Sequence, residues 1–153
     1  MTRPLLIRGK AMADFNYEIV KDPKIFQENR LDPHSDHEYY DSEAYGYGEK
    51  SNFKLSLNGI WKFEYAKNYE CCDKDFYLAD RNCKGWDDIK VPAHIQMEGY
   101  DKIMYVNTQY PWDGHESVVP GEIPTEENPV GNYVKYFTVP DFMKGQPVYI
   151  SFS

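Results

Sequence analysis

The side chains able to do chemistry here are four histidines, three cysteines, a scatter of carboxylates and three tryptophans, and their spacing decides what each can do. His34 and His37 stand in H-x-x-H spacing. Such a pair suits a metal when a helix turns both rings to one face and a third ligand completes the set. Neither condition is signalled, so a solvated loop is the simpler account. Cys71, Cys72 and Cys83 are an odd number of thiols, two of them adjacent. Zinc would want paired C-x-x-C or C-x-x-H spacings, and neighbouring cysteines bridge only with strain. Free thiols in a reducing compartment fit this pattern, and a cytoplasmic location is expected. Trp61, Trp86 and Trp112 offer flat faces for stacking. A β-core explains Trp61 and Trp86 more simply, which leaves Trp112, beside Pro111, as the tryptophan to follow.

These groups need a scaffold, and 153 residues allow one core plus an arm. The chain is 41% hydrophobic and 27% charged, with 14 tyrosines and a mean hydropathy of −0.74, so it reads as globular with a polar, ring-rich surface. A net charge of −8 with no cluster of Lys and Arg argues against nucleic acid as a partner. Leu5, Leu6 and Ile7 are cut off at once by Arg8 and Gly9, too short a run for a secretion signal or a membrane span. Ala11, Met12 and Ala13 imitate a cleavage site only superficially, and Met12 is a possible initiator.

Residues 1–52 lack sustained periodicity and read as an extended N-terminal arm. Within it, Asp22 as N-cap and Pro23 at the first helical position predict a short helix near 22–29. From residue 53 the pattern changes to strands. Trp61, Phe63 and Tyr65 alternate with Lys62 and Glu64, the period of a half-buried strand. Residues 89–91 form a short strand that Pro92 ends, and further strands are predicted at 103–110, 133–139 and 148–152. Between Pro111 and Gly131, seven of twenty-one residues are Pro or Gly, which marks a long structured loop of the kind usually tied to function or an interface. Short strands without amphipathic helices between them predict an all-β antiparallel sandwich over 53–153. Ser153 falls inside the last of these strands, so the sandwich is expected to be C-terminally incomplete.

Some phrases are more specific than composition. Asn29, Arg30 and Leu31 with His34 are followed in order by residues 56–63 (SLNGIWKF), 91–100 (VPAHIQMEGY), 105–112 (YVNTQYPW) and 124–133 (PTEENPVGNY). This succession resembles the N-terminal sugar-binding region of the family 2 β-galactosidases over roughly residues 22 to 153. SLNGIWKF alone marks the wider family, which includes β-glucuronidases and β-mannosidases; the last two phrases narrow it to β-galactosidase. Residues 113–123 (DGHESVVPGEI) form a longer loop than the family's best-known pattern has.

The resemblance implies a jelly-roll β-sandwich beside a TIM barrel, in an enzyme that hydrolyses terminal β-galactosides with retention. Retention needs two carboxyl groups about 5 Å apart. The resemblance places both on the barrel, which needs about 250 residues of its own, so no catalytic residue is expected here and this chain alone is expected to be inactive. It implies one substrate contact in this chain, Asn107, whose amide offers an acceptor and two donors to a sugar hydroxyl. The residue's bland alternative is a strand end or turn cap. Trp112 is an accessory possibility for the sugar face. The family's Mg²⁺ and Na⁺ are expected on later segments, with none held here. The expected partners are a β-galactoside, the rest of the same polypeptide and further copies in a homo-oligomer. The competing reading from another class is a stand-alone carbohydrate-binding module, which would close its own sheet and bind sugar unaided.

Overall fold

Rings alternating with charged residues make Gly59–Ala66 a strand, β1, and it becomes the centre of an antiparallel sheet with β2 (Asp87–Val91) and β3 (Val130–Val134) on either side. The computed structural model describes residues 16–28, 30–35, 37–40, 51, 53–105, 107 and 110–152. Gly59 pairs with Val91 and Phe63 with Asp87 on one edge of β1; Lys62 pairs with Val134 and Ala66 with Val130 on the other. Among the described residues there is no α-helix, only short 3₁₀ turns, so the chain is all-β and antiparallel as its alternation predicts. The described residues gather into two compact units, one of Asn58–Tyr136 with residues 16–26, the other of Gln27–Leu57 with residues 137–152.

In the sheet unit the core is small. Phe63 and Ile89 are each 1% exposed, and Cys83 and Ala66 join them. The Phe63 ring meets Tyr100 edge-on and Tyr133 at a tilt, both at a centroid distance of 4.7 Å. Tyr100 reaches that position because Gly99, with φ of 95°, closes the turn Ile95–Glu98 in a left-handed conformation that favours glycine. The Tyr100 hydroxyl then donates to Asp87 at the start of β2 (3.0 Å). Gly131 on β3 lies directly against Phe63: a Cβ there would stand 2.7 Å from ring atom Cε2. Gly131→Ala is therefore expected to destabilise the sheet by about 1–3 kcal/mol through overpacking. A thermal midpoint unmoved by the substitution would show that the ring can turn aside.

The charged residues of β1 are tied down rather than freely solvated. Lys62 donates to the Trp86 carbonyl (3.2 Å) and pairs with Asp88 (2.7 Å). Glu64 accepts from the Asp73 N–H (3.0 Å) and from the amide of buried Asn132 (2.9 Å), which also donates to the Asp73 carbonyl (3.0 Å). These bonds explain why β3 occupies Val130–Val134 and not the more regularly alternating 133–139. Asn132 must sit opposite Glu64 to satisfy its amide, and Gly131 must sit where the ring needs room. Trp61 and Trp86 are half-buried, and the centre of the core is Phe63 and Ile89 instead.

Other expectations meet a different local structure. Asp22 closes the 3₁₀ turn Tyr17–Lys21, and its side chain accepts from the Lys24 N–H (2.9 Å). The Asx-type turn thus satisfies the backbone that a helix near 22–29 would have used, and the described residues of that range are not helical. The described residues of 103–110 and 148–152 pair with no strand, although their alternation suits one. Their rings stand out into solvent, Tyr105 84% and Phe152 78% exposed. A strand exists only through its ladder, and these segments have no neighbour among the described residues to supply one. Val106, Thr108 and Gln109, and residues 1–15 and 41–50 of the arm, lie outside the described residues.

In the second unit Asp141–Met143 form a 3₁₀ turn, with the Lys144 ammonium donating to the Asp141 carboxylate. Lys54 pairs with Glu38 (2.6 Å), and the Ser51 hydroxyl donates to the Tyr39 carbonyl.

Candidate functional site

The long loop between Pro111 and Pro129 follows directly on Asn107, and local hydrogen bonds give it a defined shape. It begins with a reciprocal pair: the Tyr110 N–H donates to the Asp113 carboxylate (3.0 Å), and the Asp113 N–H returns to the Tyr110 carbonyl (3.1 Å). A turn follows in which the N–H groups of His115 and Glu116 both donate to the Trp112 carbonyl at 3.0 Å. The half-buried Trp112 spends its indole N–H on the Glu127 carbonyl (3.1 Å).

Glu116 supplies the other fastening. Its Oε1 accepts from the Thr125 N–H (2.7 Å) and its Oε2 from the Glu127 N–H (3.0 Å), with the Glu126 N–H shared between the two (3.2 and 3.0 Å). The backbone N–H groups of Glu127 and Thr125, then that of Glu126, hold this carboxyl below the ordinary carboxylate range. Its contribution to the folded loop is therefore complete above that range and is lost as the pH falls through the depressed value.

Asn107 itself is exposed. It contrasts with Asn132, whose amide is buried and committed to two internal acceptors. Asn107 and Trp112 share one segment of the sheet unit, and the Trp112 N–H is already committed to the Glu127 carbonyl. A separate cavity of about 150 Å³ is lined by Glu18, Lys21, Tyr69, Glu70, Glu122 and Asn128 among others; neither Asn107 nor Trp112 belongs to it. Lys21 is spanned there between Glu18 (3.1 Å) and Glu122 (2.6 Å).

The remaining reactive residues stay apart. His34 and His37 are exposed, and the His34 Nδ1 is bonded to the Asp32 carbonyl (2.9 Å). Among the described residues no group of three His, Cys, Asp or Glu side chains could hold a metal. Cys71, Cys72 and Cys83 are free thiols; burial raises the Cys72 pKa, and its sulfur donates to the Tyr69 carbonyl (3.1 Å). No helix among the described residues is long and apolar enough to cross a membrane. The residue missed by sequence reasoning is Glu116: a lone acid in a Gly- and Pro-rich run announces nothing of the three amides that receive it.

An antiparallel all-β unit carrying an exposed amide at the head of a structured loop is a scaffold suited to polar ligands. The chain belongs to the family described as glycosyl hydrolases family 2, sugar binding domain, which matches residues 54–153. Among its relatives, the β-galactosidase of Halalkalibacterium halodurans is 50% identical over 138 residues, covering 90% of this chain and 14% of that protein. The β-galactosidase of Streptococcus thermophilus is 45% identical over 134 residues, covering 87% of this chain and 13% of that protein. The β-galactosidase large subunit of Leuconostoc lactis is 38% identical, with 90% of this chain and 24% of that protein covered. The chain thus spans between about an eighth and a quarter of the length of these relatives.

Proposed function

We propose that this chain is the N-terminal sugar-binding part of a retaining β-galactosidase that removes terminal β-D-galactose from its substrates. What carries the reading is 50% and 45% identity with proteins named β-galactosidase over about nine tenths of the chain. In this reading Asn107 presents its amide to a galactosyl hydroxyl, and the Trp112 ring is an accessory contact. The acid and the nucleophile, about 5 Å apart in a retaining enzyme, lie on polypeptide outside this chain. In this reading the Mg²⁺ and Na⁺ that the family uses are held by later segments of the polypeptide. A cytoplasmic location, supported by the free thiols, and a homo-oligomeric state belong to the same reading.

The test is substrate preference. The full-length protein should cleave an aryl β-galactoside with kcat/KM about a hundredfold above that for the matching β-glucuronide or β-mannoside. Its first-formed sugar should be the β anomer. Preference for either other glycoside, or an inverted product, would reject the assignment.

A further inference from the structure

A carboxylate received by three successive backbone amides is a compact lock, because an anion-binding concavity of the main chain is filled by a side chain of the same molecule. Here it joins two parts of the loop that are far apart in sequence, Glu116 and residues 125–127. The amide-bearing part is anchored, since Val130, shortly beyond Glu127, begins β3 and is paired to Ala66 of the central strand. The carboxylate-bearing part leads back towards Asn107. Glu116 ends the turn that starts at Trp112, Trp112 is bonded to the same Glu127, and Tyr110, held by Asp113, stands three positions from Asn107.

A series of fastenings therefore runs from the sheet through the loop to Tyr110, three positions beyond Asn107, and the Glu116 carboxylate is its largest single group of bonds. The side chains of Glu126 and Glu127 place further negative charge on this stretch, yet the amides still favour the ionised carboxyl.

We infer that Glu116 is a positioning residue for the sugar site: docked on the amides of residues 125–127, it fixes the segment that carries Asn107 relative to the sheet. The ordering entropy of that segment is then spent on folding instead of at each binding event, so loss of the lock appears as weaker binding. This role rests on the reading of Asn107 as a sugar contact, and the experiment separates the two.

In the full-length protein, kinetics on an aryl β-galactoside are compared for Glu116→Gln, Glu116→Asp, Asn107→Ala and the double variant Glu116→Gln/Asn107→Ala. Glutamine keeps the shape but puts an NH₂ where one oxygen accepted, so KM should rise about tenfold with kcat changed less than about twofold. Aspartate keeps the charge on a shorter stem and should recover part of the loss, to about threefold. In the Asn107→Ala background, Glu116→Gln should cost less than about twofold, because a lock that positions Asn107 has nothing left to position. The same tenfold loss in both backgrounds would make Glu116 a general stabiliser and overturn the inference, as would a silent Glu116→Gln. A silent Asn107→Ala would remove the sugar contact and the positioning role with it. If Glu116→Gln does not fold, the Asp variant carries the same comparison in both backgrounds.

Discussion

Asn107→Ala in the full-length protein is expected to lower kcat/KM for an aryl β-galactoside about a hundredfold while leaving the thermal transition in place. The two halves of that expectation have separate causes. Asn107 is exposed, so truncating it leaves no cavity and strands no buried partner. In the proposed complex its amide gives and takes hydrogen bonds with a sugar hydroxyl, and such bonds strengthen as the ring approaches its oxocarbenium-like transition state. A hundredfold corresponds to about 2.7 kcal/mol, the scale of two hydrogen bonds lost from a desolvated site. A drop of less than about threefold would take Asn107 out of the site. A lowered transition with no selective loss of activity would reduce it to the strand-end or turn residue of the simpler reading.

Phe63→Ala should produce the largest effect on stability, about 3–5 kcal/mol for removal of a fully enclosed ring. The enclosed apolar side chains of the sheet unit are few, and this ring is the one that both Tyr100 and Tyr133 contact and that Gly131 makes room for. Its loss opens a void that Ala66, Cys83 and Ile89 cannot close without moving strands. Hydrogen exchange is the suitable readout in a multidomain protein, where a single unfolding free energy is poorly defined. Amides of β1 and β3 should exchange at least a hundredfold faster in the variant. An acceleration below about tenfold would mean that the sheet is held chiefly by its ladder and by the Glu64–Asn132 bonds.

How far the sequence disclosed this structure can be traced residue by residue. The central strand was legible because Trp61, Phe63 and Tyr65 alternate with charges, and β2 because Ile89 and Val91 precede a proline. The third strand was legible only in part. Gly131 and Asn132 interrupt the hydrophobic alternation, and the reasons they belong in the ladder are a ring and a carboxylate remote in sequence. The Asp22–Pro23 pair is ambiguous in the same way: an aspartate before proline can open a helix or close a turn, and here it closes one. Asn107 and Trp112 were singled out through the phrase that contains them and not through any property of their own. Glu116 was illegible, since backbone amides carry no residue code.

The strand order has one more implication, for the chain as it leaves the ribosome. Residues 67–86 separate β1 from β2, whereas residues 67–129 must all be made before β1 can acquire β3. At about 5–20 residues per second, that leaves one side of the nascent central strand without its neighbour for several seconds. Phe63 spends that interval with Tyr100 available but Tyr133 not yet synthesised, and the amide of Asn132 is not yet there to meet Glu64. The interval between synthesis of β2 and of β3 is therefore one in which the central strand is open to association with other chains.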